Sequence, residues 1–477
     1  MPTEQTALID YTDFEAELEI IADTIESGKL IPIVGIDLLK VDSAVYFRKR
    51  GMEFTEDQIK ATFGDHLDDK LRIPLTALIA KHLADEMGVV KAGVTIEHIH
   101  SISKVNRFYN DVRRAITEYM EAFPESFNTD SFEKLAKIKP IKMFLNASYC
   151  NFLEQNLSKY RNSCRVFHFY DPENQGQPSD IEVDEFELEC VDSEQPIVYN
   201  MFGQYFNKRQ FIITEDDYIE FVMRMSKYSS SLTHFKNLTK LDDNSLVFLG
   251  CNFPNWLFRF FIRSFTDRKL LDLKNKDIIV SDLLMARQDM DPGRMIFFDH
   301  LQVTTFSGMD TEQFVDHLYQ YLLDQRPHLI DEAPHKTVFI SYASEDNPAV
   351  KKIAGQVAEA GVDAWFDESH LEGGDTINAT LKDAIDNSCV FMPVISNTSQ
   401  MGDERRHYRL EWDYAIKKQE RGELEIVPLV IDGVKNNSMG IPDLFWDKSC
   451  VHLDESLVLG AGVLSDLKSK QAASRNA

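Results

Sequence analysis

The chain is poor in cysteine and lacks long apolar runs. Six cysteines are scattered over 477 residues with no CxxC pair, so we predict neither a disulfide framework nor a zinc or other metal site. No stretch approaches the roughly 18 apolar residues that a membrane-spanning helix needs. The N-terminal residues are acidic and carry neither the basic nor the apolar region of a signal peptide. These absences favour a cytoplasmic protein without membrane attachment.

Basic residues are also scarce. The chain has 51 Lys and Arg against 78 Asp and Glu, which gives a formal net charge of −27. Such a surface repels phosphate backbones and anionic lipids, which excludes broad nucleic-acid binding. An apolar content of 43% with 32 phenylalanines indicates packed globular domains instead. Because 477 residues exceed what one hydrophobic core holds, we expect two or three domains.

The best linker candidate is 328–336, a segment in a proline-containing stretch without helical or strand periodicity. It separates an N-terminal region, 1–327, from a C-terminal region, 337–455. The tail that follows, 456–477, consists largely of small and polar residues. We expect this tail to be partly disordered.

Apolar, strand-like runs alternate with helical segments in the N-terminal region. Residues 12–29 show helical spacing of apolar residues, and Leu30–Gly35 is typical of a first buried parallel strand. Helical patterns dominate 74–137, and the polar stretch 171–195 is expected to be an exposed loop. Further strand-like runs occur at 141–145, 164–170, 196–201 and 245–250. The alternation predicts an α/β fold, a doubly wound Rossmann-type sheet with helical insertions.

The C-terminal region alternates more regularly. Strands are predicted at 337–342, 362–367, 389–395, 426–431 and 449–453. Helices are predicted near 347–360, 376–387 and 404–419. About 120 residues with five strands suit a flavodoxin-like parallel sheet, whose ligands bind at the carboxyl ends of the strands.

Several features of the C-terminal region occur together in one known family. The strand 338–342, Val-Phe-Ile-Ser-Tyr, precedes a second strand at 364–367 and the loop 371–375, Leu-Glu-Gly-Gly-Asp. A third strand at 390–396 precedes a helix that carries Glu411 among aromatic residues. In this order and spacing, the region resembles a Toll/interleukin-1 receptor (TIR) domain over nearly its whole length.

Many TIR domains cleave NAD at the nicotinamide–ribose bond, and the resemblance implies NAD as a substrate here, with no cofactor. The family's catalytic glutamate corresponds to Glu411. Because nicotinamide is cationic within NAD and leaves neutral, no general acid is needed, and a carboxylate can offset the positive charge that develops on the ribose. The substrate-binding residues that the resemblance implies are Phe339, Ser341, Tyr342, Leu371, Asp375 and His407. His407 departs from the family, where a tryptophan is frequent, and a histidine stacks more weakly.

In this family the loop equivalent to 371–375 contacts a neighbouring TIR domain and helps to complete the active site. The resemblance therefore implies self-association through the loop around Leu371 and Asp375, and an activity that depends on assembly. The implied partners are NAD, further copies of the chain and a phage or host trigger protein. The implied product is ADP-ribose or a cyclised form of it.

The N-terminal region carries a second resemblance. Its supporting segments are the strand that ends at Gly35, 144–154, 197–203, 214–221, and 246–250 leading to Trp256 and Arg259. Together they resemble the sirtuin-like domains of bacterial antiphage defence proteins.

Three departures from the active sirtuin-like members fall at one expected pocket. Gly35-Ile36-Asp37 stands where those members have Gly-Ala-Gly, whose backbone approaches a pyrophosphate. Ala147-Ser148-Tyr149-Cys150 replaces their Thr-Asn-Tyr-Asp, and Phe202 replaces a histidine. Phenylalanine cannot transfer a proton. We therefore predict that this domain has lost NAD hydrolysis and serves as a sensing or assembly module.

Other interpretations of the same residues remain open at this point. Glu411 could be a solvated helix glutamate and Tyr342 an ordinary half-buried tyrosine. The TIR domain could be a non-enzymatic adaptor that only binds other TIR domains. The sirtuin-like domain could be a structural scaffold, or a sensor of an NAD-derived ligand. The aromatic segment 253–261 is interpreted as a buried strand-to-helix connection rather than an exposed partner site.

Overall fold

The computed structural model describes residues 14–474 with gaps. The residues left out within this span are 90–92, 104, 162–163, 172–176, 182–187, 208–210, 241–243, 252, 266–277, 282–303, 306–308, 332–335, 367–378, 402–406, 436–439 and 447–449. The chain divides into two compact units, Met1–Asp331 and Glu332–Ala477. Each unit is built on its own parallel sheet.

A seven-stranded parallel sheet forms the centre of the first unit. The strands of this unit are β1 (Leu30–Gly35), β2 (Lys40–Asp42), β3 (Arg72–Pro74), β4 (Phe127–Asn128), β5 (Met143–Ala147), β6 (Arg165–His168), β7 (Ile197–Asn200), β8 (Ser245–Leu249), β9 (Ile278–Ser281) and β10 (Thr304–Thr305). The central sheet has the order β10-β9-β8-β1-β5-β7-β6, and a small antiparallel sheet has the order β3-β2-β4. Every residue of β1, β5 and β7 is buried, as expected for strands covered on both faces.

Helices pack against both faces of this sheet. They are α1 (Phe14–Glu26), α2 (Val45–Lys49), α3 (Glu56–Phe63), α4 (Leu75–Glu86), α5 (Ile96–Ile102), α6 (Val105–Ala122), α7 (Asp130–Lys137), α8 (Phe152–Tyr160), α9 (Glu215–Tyr228), α10 (Thr233–Leu238), α11 (Asn255–Ser264) and α12 (Thr311–Gln325). Two apolar cores result, and successive residues of β1 alternate between them. Val34 packs with α4 and α12, whereas Ile33 packs with α9 and α11. The predicted doubly wound sheet with helical insertions is confirmed.

The expectation of an exposed loop at 171–195 is wrong for its described apolar residues. Ile181, Leu188 and Val191 are 0%, 5% and 1% exposed and belong to the core that contains α9 and α11. These three residues are irregularly spaced and give no periodic signal. The prediction of an exposed loop therefore followed the polar residues that surround them. The interpretation of 253–261 as a buried connection holds for Phe253 and Phe261, which are 3% and 0% exposed, but not for Trp256, which is 36% exposed.

The second unit has the predicted flavodoxin-like sheet. Its strands are β11 (Thr337–Ser341), β12 (Ala364–Trp365), β13 (Ser388–Ile395), β14 (Glu425–Ile426), β15 (Leu429–Val430) and β16 (Val451–His452), and its helices are α13 (Asn347–Glu359), α14 (Ala379–Asp386), α15 (Asn397–Met401), α16 (His407–Glu420) and α17 (Ala461–Ser474). The strands are parallel in the order β12-β11-β13-β15-β16, with β14 also paired to β13. The chain moves from β11 to β12 on one side and returns to β13 on the other. This fold binds ligands at such a switch point, between the carboxyl ends of β11 and β13.

The expectation of partial disorder in the tail is not met by its described residues, which form α17. Leu467 and Gln471 of this helix are 1% and 5% exposed. The Gln471 Nε2 donates to the Lys336 carbonyl at 2.8 Å, and the Asp363 amide donates to the Gln471 Oε1 at 3.2 Å. Leu467 and Gln471, with Val463 and Leu464 packed against the same core, thus dock a helix whose weak apolar pattern gave no signal.

The start of the predicted linker is attached to the first unit. Ile330 pairs with Ile138 in an antiparallel bridge, and the Lys139 amide donates to the Leu329 carbonyl at 2.9 Å. Behind this bridge Arg161 is 0% exposed and donates to the carbonyls of Ala136, Ile138, Lys139 and Ser193. The first unit therefore continues to Asp331.

Among the described helices, none is long and apolar enough to cross a bilayer. The described His, Cys, Asp and Glu side chains form no group of three or more that could hold a metal ion. No disulfide bond joins the six cysteines, of which Cys190 is exposed and Cys150 and Cys251 are buried.

One buried ion pair ties α12 to the small sheet and allows a stability prediction. The Arg72 guanidinium donates to both carboxylate oxygens of Glu312, and Lys70 adds a bond at 3.1 Å. Burial raises the pKa of Glu312, but the hydrogen bonds and charges of Arg72 and Lys70 outweigh it and leave the pKa below its ordinary value. Because the pKa is lowered on folding, this stabilisation is present above the unfolded pKa of about 4.3 and is lost as pH falls through the folded value.

We predict that Glu312→Gln lowers the free energy of unfolding by about 2 kcal/mol at pH 7, because it removes one of the two carboxylates, Glu312 and Asp68, that pair with Arg72. The difference between variant and wild type should shrink below about pH 4. Urea unfolding at several pH values measures both effects. Glu56→Gln, which removes an exposed pair with Lys60, is the matched control and should change little. An equal loss at all pH values would contradict the ion-pair account.

Candidate active site

Strand β11 ends at the switch point of the second unit, and its side chains alternate between the two faces of the sheet. Phe339 belongs to the core on the α16 face, whereas Ile340 belongs to the core on the α13 and α17 face. Ser341, the last residue of β11, therefore shares the face of Phe339 and is 1% exposed.

Glu411 lies in the second turn of α16 and is 7% exposed. The Ser341 hydroxyl donates a hydrogen bond of 2.5 Å to the Glu411 Oε2. Tyr408, Trp412 and Ala415, which share a helix face, are buried in the core beside it. A glutamate held in this way does not fit the alternative of a solvated helix residue.

A second carboxyl group lies at the same edge of the sheet. Asp346 follows β11 in the chain, is 9% exposed, and accepts a hydrogen bond of 2.6 Å from Ser396, which follows β13. Burial raises the pKa of Asp346 above its ordinary value. The Ser396 hydrogen bond opposes this shift, and the negative charges of Asp432 and Glu345 add to it. Carboxyl groups from two elements thus bond to serines at the ends of β11 and β13.

The structure separates the other predicted substrate-binding residues. Phe339 is 1% exposed and stacks on Trp365 and Phe391, with ring centroids at 4.7 and 5.3 Å. It therefore lies in the core of the sheet. Tyr342 is half-buried on the opposite face from Ser341 and makes an edge contact with Phe366 at 6.4 Å. These two residues do not meet on the face that carries Glu411.

The remaining predicted site residues cannot be placed. Leu371 and Asp375, with the loop around them, lie outside the described residues. His407 is the first residue of α16, but its side chain lies outside the description. Their roles stay predictions.

Sequence reasoning assigned no role to Asp346 and Ser396. A signal was available for Ser396, because a polar residue directly after a predicted buried strand stands at the ligand edge of a parallel sheet. Asp346 gave a weaker signal, since nothing in its neighbours indicates that it reaches across to β13.

The corresponding edge of the first unit is closed by backbone contact. Its switch point lies between β1 and β8, where the Asp37 amide donates to the Gly250 carbonyl at 3.1 Å. A side chain at Gly35 would lie 2.1 Å from that carbonyl oxygen, so only glycine fits there. Asp37 itself is partly buried, which raises the pKa of its carboxyl group despite the positive charge of Lys40.

Aromatic side chains fill the region beside this edge. Phe202, which replaces the family's histidine, is 2% exposed and contacts Tyr218, Phe221 and Phe253 at centroid distances of 5.2 to 5.6 Å. Tyr149 is 2% exposed, and its ring lies 5.7 Å from that of Phe211. Of the substituted positions, Phe202 is therefore part of a packed aromatic core.

The bond between Ser341 and Glu411 can be measured without any activity assay. We predict that Ser341→Ala and Glu411→Gln are coupled by about 1 kcal/mol in a double-mutant cycle, because glutamine keeps an acceptor for Ser341 but loses the charge, and hydrogen bonds to charged groups are worth about 1 kcal/mol more than neutral ones. Chemical unfolding of the four proteins gives the coupling energy. Thr337→Ser, at the other end of β11, paired with Glu411→Gln is the control and should show additivity. Additivity for Ser341 as well would contradict the bond.

Comparison with known proteins gives two family matches. The family model for the TIR domain matches residues 338–455, and the model for the SIR2-like domain matches residues 142–282. No curated protein matches the chain. A solved structure of a metazoan TIR-STING receptor from C. gigas in complex with 2',3'-cGAMP is 22% identical over 28% of this chain, with a TM-score of 0.23. The chain spans 38% of that receptor, and so low a TM-score adds nothing to the fold described above.

The two family matches agree with the resemblances seen in the sequence, and with the two parallel α/β sheets. The SIR2-like match covers strands β5 to β9 of the first unit, and the TIR match covers the sheet of the second unit but not α17. The chain carries a SIR2-like domain followed by a C-terminal TIR domain.

Proposed function

We propose that the TIR domain cleaves NAD at the nicotinamide–ribose bond, with Glu411 as the catalytic residue. The products are nicotinamide and either ADP-ribose or a cyclic ADP-ribose. One observation carries the proposal. Glu411 is a buried carboxylate that bonds to the last residue of β11 at 2.5 Å, at the switch point where this class of sheet binds ligands.

The main requirement that this reaction places on the protein is a fixed negative charge. The pyridinium of NAD takes the bonding electrons and leaves as neutral nicotinamide, so no proton donor is needed. The ribose C1′ becomes an oxocarbenium ion, which water or an atom of the same NAD molecule then attacks. Attack by water releases one proton and gives ADP-ribose.

The burial of Glu411 makes its charge effective. At a separation of about 4 Å, a carboxylate and a developing cation interact by about 4 kcal/mol at an effective dielectric constant of about 20, against about 1 kcal/mol in water. The former corresponds to roughly a thousandfold in rate. The Ser341 hydroxyl donates to one oxygen of Glu411 and fixes its orientation, which supports charge stabilisation by a prearranged group.

The combination of a TIR domain with a SIR2-like domain points to a defence or signalling protein. Within that class we propose a cytoplasmic role in bacterial antiphage immunity. The SIR2-like domain would be non-catalytic and would control assembly, and a phage or host protein would be the trigger. Self-association through the loop around Leu371 and Asp375 would then activate the TIR domain.

The aromatic packing of Phe202 and the partly buried carboxyl group of Asp37 support a non-catalytic SIR2-like domain. A dinucleotide would have to displace packed rings and approach the carboxyl group of Asp37. Both requirements oppose a bound pyrophosphate.

The competing function is an adaptor whose TIR domain only binds other TIR domains. Incubation of concentrated full-length protein with NAD, followed by chromatography of nicotinamide, separates the two functions. We predict that Glu411→Gln lowers turnover about a thousandfold with an unchanged circular dichroism spectrum, because the charge is removed while the shape is kept.

Asp413→Asn is the matched control, since Asp413 is exposed on the same helix, and it should retain wild-type turnover. Unchanged turnover in Glu411→Gln would eliminate that residue as the catalytic group. Wild-type protein that releases no nicotinamide, even in concentrated or filamentous samples, would favour the adaptor.

A further inference from the structure

Helix α16 is held to its surroundings on two sides. On one side, Glu411 accepts the hydrogen bond from Ser341 of β11. On the other side, the Arg409 Nη2 donates to the Ser399 carbonyl at 2.5 Å, and its Nη1 donates to the Gly440 carbonyl. Ser399 lies in α15, directly after β13, and Gly440 lies in the connection after β15.

Arg409 cannot act on the substrate through direct contact with Glu411. Residues two apart on a helix project about 200° apart, so the two side chains leave α16 in nearly opposite directions. Trp412, three residues after Arg409, shares its side of the helix, and the guanidinium lies over the Trp412 ring at 4.7 Å. Any effect of Arg409 on Glu411 must therefore pass through the position of the helix.

The guanidinium joins α15 to the connection after β15, and these two segments approach each other closely. Gly440 has a φ of +86°. A side chain at Gly440 would lie 2.9 Å from the Gln400 carbonyl oxygen and 3.6 Å from the Arg409 Nη2. The Arg409 guanidinium thus donates to one carbonyl of α15 and to one carbonyl of the connection after β15. Only glycine at position 440 permits these two segments to lie so close together.

A small rotation of α16 would displace the catalytic carboxylate. A side-chain tip about 6 Å from the helix axis moves by about 2 Å when the helix turns by about 20°. Misplacement of a catalytic group by about 1 Å can cost about a hundredfold in rate. Packing of Trp412 limits such rotation, but dispersion contacts are not directional. Tyr408 also donates to the Ser399 carbonyl, at 3.3 Å, and Tyr414 bonds to Asp386 at 2.9 Å. The two hydrogen bonds of Arg409 add directional restraints at both Ser399 and Gly440.

We propose that Arg409 is a positioning residue for Glu411. It fixes the rotation of α16 by joining this helix to α15 and to the connection after β15. The inference rests on the proposed NAD cleavage. It assigns to this chain a residue for the reaction beyond those that the sequence resemblance implies.

The test compares Arg409→Lys and Arg409→Ala in the full-length protein. Lysine keeps the positive charge, but its single ammonium group cannot reproduce the planar fork that bonds both carbonyls. With NAD as substrate, both variants should lose about 10- to 100-fold in kcat, with KM within about threefold of wild type. Added guanidinium chloride, at tens of millimolar, should partly restore Arg409→Ala, whereas sodium chloride of equal ionic strength should not.

Hydrogen exchange supplies a readout that does not depend on turnover. The amides of 408–412 should exchange faster in both variants, while those of β13 should not change. Arg421→Ala is the matched control, because Arg421 is exposed just after the far end of α16 and pairs with Glu423 at 3.2 Å. It should behave as wild type in both measurements.

Three results would overturn the proposal: wild-type kcat in the Arg409 variants, unchanged exchange at 408–412, or a loss of kcat that only follows the folded fraction and that guanidinium does not restore. A wild-type protein without NAD cleavage is a different failure, because it removes the proposed function itself.

Discussion

The hydrogen bond from Ser341 to Glu411 is the interaction on which the site depends. It joins the last residue of β11 to the second turn of α16 at 2.5 Å, so it sets the distance between the carboxylate and the ligand edge of the sheet. Because Glu411 is 7% exposed, its charge acts in a poorly screened environment. The chemistry proposed for this domain needs such a fixed charge and no metal or general acid.

The two units differ at the switch points of their parallel sheets. Both have a parallel sheet with a switch point, which is where such folds bind ligands. In the first unit the Gly35 backbone meets Gly250, and Phe202 joins an aromatic core. In the TIR domain, carboxyl groups of Asp346 and Glu411 bond to serines at the strand ends. The first unit also keeps buried polar groups at its strand ends, where Asn146 donates to Asn200 and Gln204 donates to Glu154, each at 2.9 Å.

The sequence predicted most of the fold because buried parallel strands and amphipathic helices leave strong periodic patterns. Prediction failed where burial depends on a few residues at irregular spacing, as for Leu467 and Gln471 of α17 and for Ile181 and Val191. The position of Glu411 came from the resemblance to TIR domains, but its burial did not. Phe339 was predicted to contact the substrate, but its ring stacks on other rings in the core. A strand pattern does not reveal which rings stack on each other. Asp346 was missed because its partner, Ser396, is distant in sequence.

The most direct test of the central claim is a structure of the assembled protein with a non-hydrolysable NAD analogue. The account predicts that a Glu411 oxygen lies within about 4 Å of the ribose C1′ or of a ribose hydroxyl. It also predicts that Ser341 remains bonded to the other oxygen. A nicotinamide riboside bound elsewhere, with Glu411 remote from it in every assembled state, would contradict the account.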